Sequence, residues 1–280
     1  MNTVVKDKSV SVFEQQVPAE DGLLLNFYHW VPEDAHSAIV ISHGWSEHAG
    51  RYHELANWFT ARGFEVHALD HRGHGKSEGK RGHVRRWTDY SRDLELLRSS
   101  IKQDKQYLLG HSMGGMIGIL HTLEYPEQFS AVVLSGPASD VSIPVPKIKI
   151  FLGKKMSAWL PRLTITNDID PNIICSDERV VEAYVADPFT HGKVTARWFN
   201  EYLRVIERVK DEAKLIKTPI AIWHGIGDEL VAPWVSKNFF EGLNMKNRQY
   251  TLVENTLHEI LLEPSWPQTA EEMKSWFERF

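Results

Sequence analysis

From about residue 38 onward, short apolar runs alternate with stretches of helical periodicity. Ala38-Ile39-Val40-Ile41-Ser42, Phe64 to Leu69, Tyr107-Leu108-Leu109, Ala131 to Leu134, Pro219 to Trp223 and Gln249 to Val253 each read as a strand, several of them apolar throughout. A strand that is hydrophobic at every position needs cover on both faces, which a parallel sheet between helices provides. Helical patterns fall at about 51–62, 88–103, 113–124, 232–242 and 264–279. Thr88 and Asp89 open the second, Tyr125-Pro126 closes the third, and Pro264 stands in the first turn of the last. Two earlier runs, 10–17 and 23–31, have no helix between them and predict an antiparallel hairpin turned at Glu20-Asp21-Gly22. The pattern predicts an α/β fold with a mixed, mostly parallel central sheet and helices on both faces.

The rhythm breaks between about 139 and 217, too long an interval for a simple crossover, which predicts an inserted helical cap on a core formed by 1–138 and 218–280. The first part of the cap, Val141 to Asn167, carries Lys147, Lys149, Lys154, Lys155 and Arg162 without an acid, interleaved with Ile148, Phe151, Leu152, Met156 and Trp159. Such a helix either packs its apolar side on the core or lies on a membrane surface. Lys155 falls inside the apolar stripe and blurs it.

Composition narrows the function classes. With 42% hydrophobic and 25% charged residues in 280, the chain can bury a sizeable core. A net charge of −5 gives no reason to expect nucleic acid. The single cysteine, Cys175, excludes an internal disulfide and a thiolate-rich metal site. Met1 to Lys8 carries charges where a signal peptide needs its apolar run, and no stretch approaches the roughly 18 apolar residues of a membrane span, so the expected location is the cytoplasm. Fourteen histidines raise the question of metal. His53-Glu54 and His258-Glu259 begin like H-E-x-x-H, but Asn57 and Leu262 stand at the second ligand positions, so no metal site is expected.

Gly110-His111-Ser112-Met113-Gly114-Gly115 follows one predicted strand and opens a helix, the context in which G-x-S-x-G carries meaning. A serine hydroxyl is a weak nucleophile and needs a base, which in turn needs an orienting acid. On such a sheet the chain order is serine, acid, histidine. Asp228 lies in the loop after the strand ending at Trp223, with Glu229 as its rival, and His258 lies in the loop after the strand ending at Val253. Loops at the carboxyl edge converge, which brings Asp228 and His258 over Ser112. Two N–H donors for a developing oxyanion are expected from Met113 and from Trp45, in the loop His43-Gly44-Trp45. His71, His74 and His83 are expected to hold a Gly- and Arg-rich loop, and His111 to brace the turn.

His43-Gly44-Trp45-Ser46-Glu47-His48-Ala49-Gly50-Arg51-Tyr52 resembles the oxyanion loop of monoacylglycerol lipases and their lysophospholipase-like relatives. Asp70 to Gly79, Gly110 to Gly115 and the cap segment Tyr184 to Phe189 are similar to that family in the same order. Ser46 departs from it, since relatives usually carry glycine there. The resemblance implies an α/β-hydrolase with a movable cap that needs no cofactor, cleaves a single-chain lipid ester through Ser112, His258 and Asp228, and reads the glycerol end with Glu47, Arg51 and Tyr184. Glu47 and Arg51 lie four apart and can also simply pair. A lysophospholipase or general carboxylesterase is the neighbouring reading, and a lipid-binding protein without turnover is the remote one. A dehalogenase would need aspartate at 112.

Overall fold

The computed structural model describes residues 10–142, 147–166 and 169–280. The reading of Met1 to Lys8, the stretches 143–146 and 167–168 of the basic cap run, and the side chains of Lys147 and Lys149 lie outside the described residues. Strand β1 (Val10–Pro18) pairs antiparallel with β2 (Leu24–Pro32), as the hairpin pattern predicts. The strands β3 (Ser37–Ser42), β4 (Phe64–Leu69), β5 (Gln106–His111) and β6 (Ala131–Ser135) follow, each buried at every position. Beyond the cap lie β9 (Ile220–Gly225) and β10 (Arg248–Val253). The sheet has the spatial order β1-β2-β4-β3-β5-β6-β9-β10, parallel from β4 to β10.

Side chains alternate between two cores because successive strand residues face opposite sides. Leu108, Val132 and Ile222 face one cluster, filled by α2 (Thr88–Ser100), α3 (Met113–Glu124) and α7 (Pro233–Gly242). Ile41, Leu109 and Val133 face the other, filled by α1 (His53–Thr60) and α8 (Trp266–Phe277). Two helix starts differ from the sequence expectation. The predicted helix at 51–62 begins as a 3₁₀ turn, Ala49–Tyr52, capped by the His48 side chain. The last helix takes Pro267 in its first turn, and Pro264 precedes it.

The interval 139–217, expected from the sequence to form the cap and called so below, contains α4 (Lys147–Trp159), α5 (Glu178–Ala186) and α6 (Ala196–Glu212). It also contains a two-stranded antiparallel ribbon, β7 (Thr164–Thr166) with β8 (Lys193–Thr195), which the sequence did not announce because each strand is three residues long. The second half of α6, with Val205, Ile206 and Val209 buried, packs into the α2/α3/α7 core. In α4 the apolar side faces out: Ile148 is 64% exposed, Phe151 55% and Trp159 82%. Among the described residues no helix is long and apolar enough to cross a membrane.

Candidate active site

The turn between β5 and α3 is held open by its glycines. A Cβ on Gly110 would meet the Gly114 carbonyl oxygen at 2.7 Å, and one on Gly114 would meet the Ser42 carbonyl oxygen at 1.9 Å, so no side chain fits at either position. Ser112 caps α3 with φ +50°, ψ −114°, a strained conformation for a residue with a Cβ. Its N–H donates to the Ser135 carbonyl at 2.9 Å, and its carbonyl accepts from Ala138 N–H at 3.0 Å, which locks the turn to the end of β6. The Met113 N–H is the first of α3 and has no helical acceptor. Gly44 passes so close that a Cβ there would lie 3.4 Å from Ser112 Cβ, which sets the next residue, Trp45, at the same edge.

Asp228 and His258 come together as the chain order predicts. Asp228 Oδ2 accepts from His258 Nδ1 at 2.6 Å, while Asp228 Oδ1 accepts from the Leu230 and Val231 N–H groups at 3.0 and 2.8 Å. Glu229, the rival acid, is exposed. A second imidazole, His224, brings Nε2 to 3.0 Å from Asp228 Oδ2 and to 2.7 Å from the Val231 carbonyl. Burial alone would raise the Asp228 carboxyl, but His258 and His224 outweigh it and hold the carboxyl well below its usual range. Burial alone would lower His258, yet the Asp228 charge and hydrogen bond carry its pKa above the ordinary 6.5. His111, whose ring centroid lies 4.7 Å from that of His258, is pushed down to about 3 by burial and by His258, so it stays neutral; its Nδ1 faces the Ser135 carbonyl at 3.1 Å, a bracing contact.

Glu47 and Arg51 do pair, at 2.9 Å, and a third residue joins them. Arg51 forms a two-pronged bond to Glu259 at 2.5 and 2.8 Å. Glu47 Oε1 accepts from the Gly44 N–H at 2.5 Å and from the Tyr52 hydroxyl at 2.8 Å. Burial, which would raise Glu47, is outweighed by Arg51, and the carboxyl falls to about 2. The trio joins the loop of Trp45 to the residue after His258. Tyr184 stands above it, its ring 5.1 Å from the Arg51 guanidinium carbon.

Ser112, His258, Glu47, Glu259 and Tyr184 line a cavity of about 780 Å³. Its remaining wall is mostly apolar and comes from both core and cap, including Trp87, Met156, Ile174, Val194, Trp198 and Leu230. Sequence reasoning missed Glu263. This fully buried carboxylate accepts from the Leu257 N–H at 2.8 Å, next to His258, and from the N–H and hydroxyl of Ser176 in the cap. It also missed His224 as a partner of Asp228, although the four-residue spacing from a strand end was visible.

A mostly parallel eight-stranded sheet, a strained serine between strand and helix, and a buried carboxylate–histidine pair at the same edge define an α/β-hydrolase. The family described as Hydrolase_4, serine aminopeptidase S33, matches residues 33–265, and the chain belongs to it. It is 33% identical to the monoacylglycerol lipase of Mycolicibacterium smegmatis over 261 residues, 91% of this chain and 93% of that one. It is 30% identical to the phospholipase YtpA of Bacillus subtilis over 84% of this chain and 92% of that one. The crystal structure of a Paleococcus ferrophilus monoacylglycerol lipase superposes with a TM-score of 0.80 and 28% identity, covering 95% of this chain and 98% of that one. The resemblance drawn from the motifs is borne out.

Proposed function

We propose that this chain hydrolyses monoacylglycerols to glycerol and free fatty acid through an acyl-enzyme on Ser112. The observation that carries this reading is a single cavity with Ser112 and His258 in its wall, His258 backed by Asp228, a charged and hydroxylic group at one side and an apolar lining elsewhere. Ser112 Oγ attacks the ester carbonyl carbon while His258 Nε2 takes its proton. The oxyanion is met by the Trp45 and Met113 N–H groups, at the N-terminus of α3 where the helix dipole favours negative charge. Collapse of the tetrahedral intermediate breaks the bond to the glycerol oxygen, which takes the proton back from His258. Water then attacks the acyl-enzyme by the same route and releases the fatty acid. Asp228 keeps the imidazole proton on Nδ1, so that Nε2 is the free base. Glu47 and Tyr184 read the glycerol hydroxyls, with Arg51 fixing Glu47 from behind.

An aminopeptidase needs an uncommitted carboxylate in its cavity for the substrate ammonium group. Of the four carboxylates in the lining, Glu47 and Glu259 are both paired with Arg51 and Asp140 with Lys210 at 2.9 Å, which leaves only exposed Glu229 outside these pairs, and the apolar remainder of the wall favours a neutral ester. The deciding experiment is a rate panel of 1- and 2-monoacylglycerols, diacylglycerol, lysophosphatidylcholine and short esters. The monoacylglycerols are expected to lead in kcat/KM, and equal rates on all would reject the proposal.

The substrate partitions into membranes, and the exposed side of α4 suits that surface. Ile148, Phe151, Leu152 and Trp159 continue into Leu160, Leu163 and Ile165, all more than two-fifths exposed, with Lys154, Lys155 and Arg162 exposed among them. Apolar insertion flanked by cations is the chemistry of an anionic lipid interface. Co-sedimentation with anionic liposomes is expected, weakening several-fold when Lys154, Lys155 and Arg162 are neutralised and further in Trp159→Ala. No binding, or binding indifferent to all four changes, would refute the docking.

A further inference from the structure

Between His43 and Gly50, Ser46 alone adopts the left-handed region, with φ +68°, where glycine is at ease and a residue with a Cβ is not. The strain is accompanied by two bonds that only a hydroxyl can make. Ser46 Oγ donates to the His191 carbonyl at 2.5 Å and accepts from the Tyr184 hydroxyl at 2.8 Å. Both partners belong to the cap, and Ser46 itself is only 2% exposed. Two residues on, His48 Nε2 meets Asp187 Oδ2 of the same cap segment at 2.8 Å. The Trp45 peptide is therefore gripped from two directions: the core carboxylate Glu47 holds the Gly44 N–H, and the cap holds Ser46.

We propose that Ser46 is a positioning residue that ties the Trp45 oxyanion donor to the cap segment 184–191, so that the donor is aimed at the developing charge only while that segment is docked. The proposal rests on the serine-hydrolase reading given above. Transition-state donors act through fine geometry, and their misplacement costs turnover more than it costs substrate binding. Ser46 thus accepts a strained backbone in exchange for a link between cap position and the chemical step.

Two substitutions separate the link from stability. Ser46→Gly relieves the left-handed strain and Ser46→Ala keeps it, but both remove the two bonds to the cap. The glycine variant is expected to melt above the alanine variant, while both lose about tenfold in kcat on a soluble p-nitrophenyl ester with KM held within about twofold. The rate of labelling by a small ethyl fluorophosphonate, which has no glycerol to recognise, is expected to fall by the same factor in both. A glycine variant with the parent's kcat and labelling rate overturns the proposal. So does a loss carried by KM alone, or a loss in kcat that ranks with melting temperature. A parent chain that takes no label at Ser112 overturns the nucleophile assignment itself, which tells that failure apart from failure of the link.

Discussion

Ser112→Ala is expected to leave the chain folded and to lower its ester hydrolysis by about four to six orders of magnitude, with fluorophosphonate labelling abolished. Alanine has the same Cβ at the same positive φ, so the backbone strain at the turn is unchanged, and the N–H bond to Ser135 and the carbonyl bond from Ala138 do not involve the side chain. What is lost is the attacking oxygen. On the proposed mechanism the residual rate comes from the oxyanion donors and the cavity acting on water. Melting temperature and mass-spectrometric labelling check the two halves of the expectation, and undiminished turnover in the alanine variant would sink the nucleophile assignment.

Asp228→Asn is expected to cost about three to four orders of magnitude in kcat, and the reason lies in the other oxygen. Asp228 Oδ1 accepts two backbone N–H groups, from Leu230 and Val231. An asparagine keeps its carbonyl oxygen on those donors and turns its NH₂ toward His258 Nδ1 and His224 Nε2. His258 must then accept at Nδ1 and carry its proton on Nε2, the wrong tautomer for a base. The pH profile moves as well. Protonated His258 cannot accept from Ser112, so activity falls as pH drops through its pKa. Since Asp228 raises that pKa above 6.5, the acid limb of kcat/KM in the parent is expected to have its midpoint above 6.5, and without the carboxylate charge it moves to lower pH. A parent midpoint below 6.5, or a limb unmoved in the variant, would contradict this account.

The sheet was legible in the sequence because parallel strands buried on both faces are apolar at every position, and because G-x-S-x-G marks a turn that only glycine neighbours permit. The Asp228–His258 pair followed from topology alone, since each is anchored to the end of a recognisable strand. The partners that tune the site were not legible. Arg51 and Glu47 were visible as an i, i+4 pair, but Glu259 is 208 positions away and no local pattern connects it. Glu263 reads as one more acid before a helix, and only folding brings Ser176 and Leu257 to it. The outward face of α4 was ambiguous for a different reason: packing on a core and lying on a bilayer select the same residues, and exposure is a property of the tertiary structure.

The way Glu263 is satisfied has a consequence for protein engineering and for descent. Its carboxylate takes donors from the cap at Ser176 and from the core at Leu257, the Ile174 carbonyl accepts from the Glu259 N–H at 2.8 Å, and the Gly82 carbonyl accepts from the Thr195 N–H at 2.8 Å. A cap exchanged as a cassette at 139 and 217 would leave these groups facing strangers, among them a buried carboxylate that keeps the Leu257 N–H but loses both Ser176 donors. Chimaeras within the family should succeed only when the donor's oxyanion loop, its 70–83 loop and its residues 254–263 travel with its cap, and lineages that change cap shape should show those three core segments changing in step.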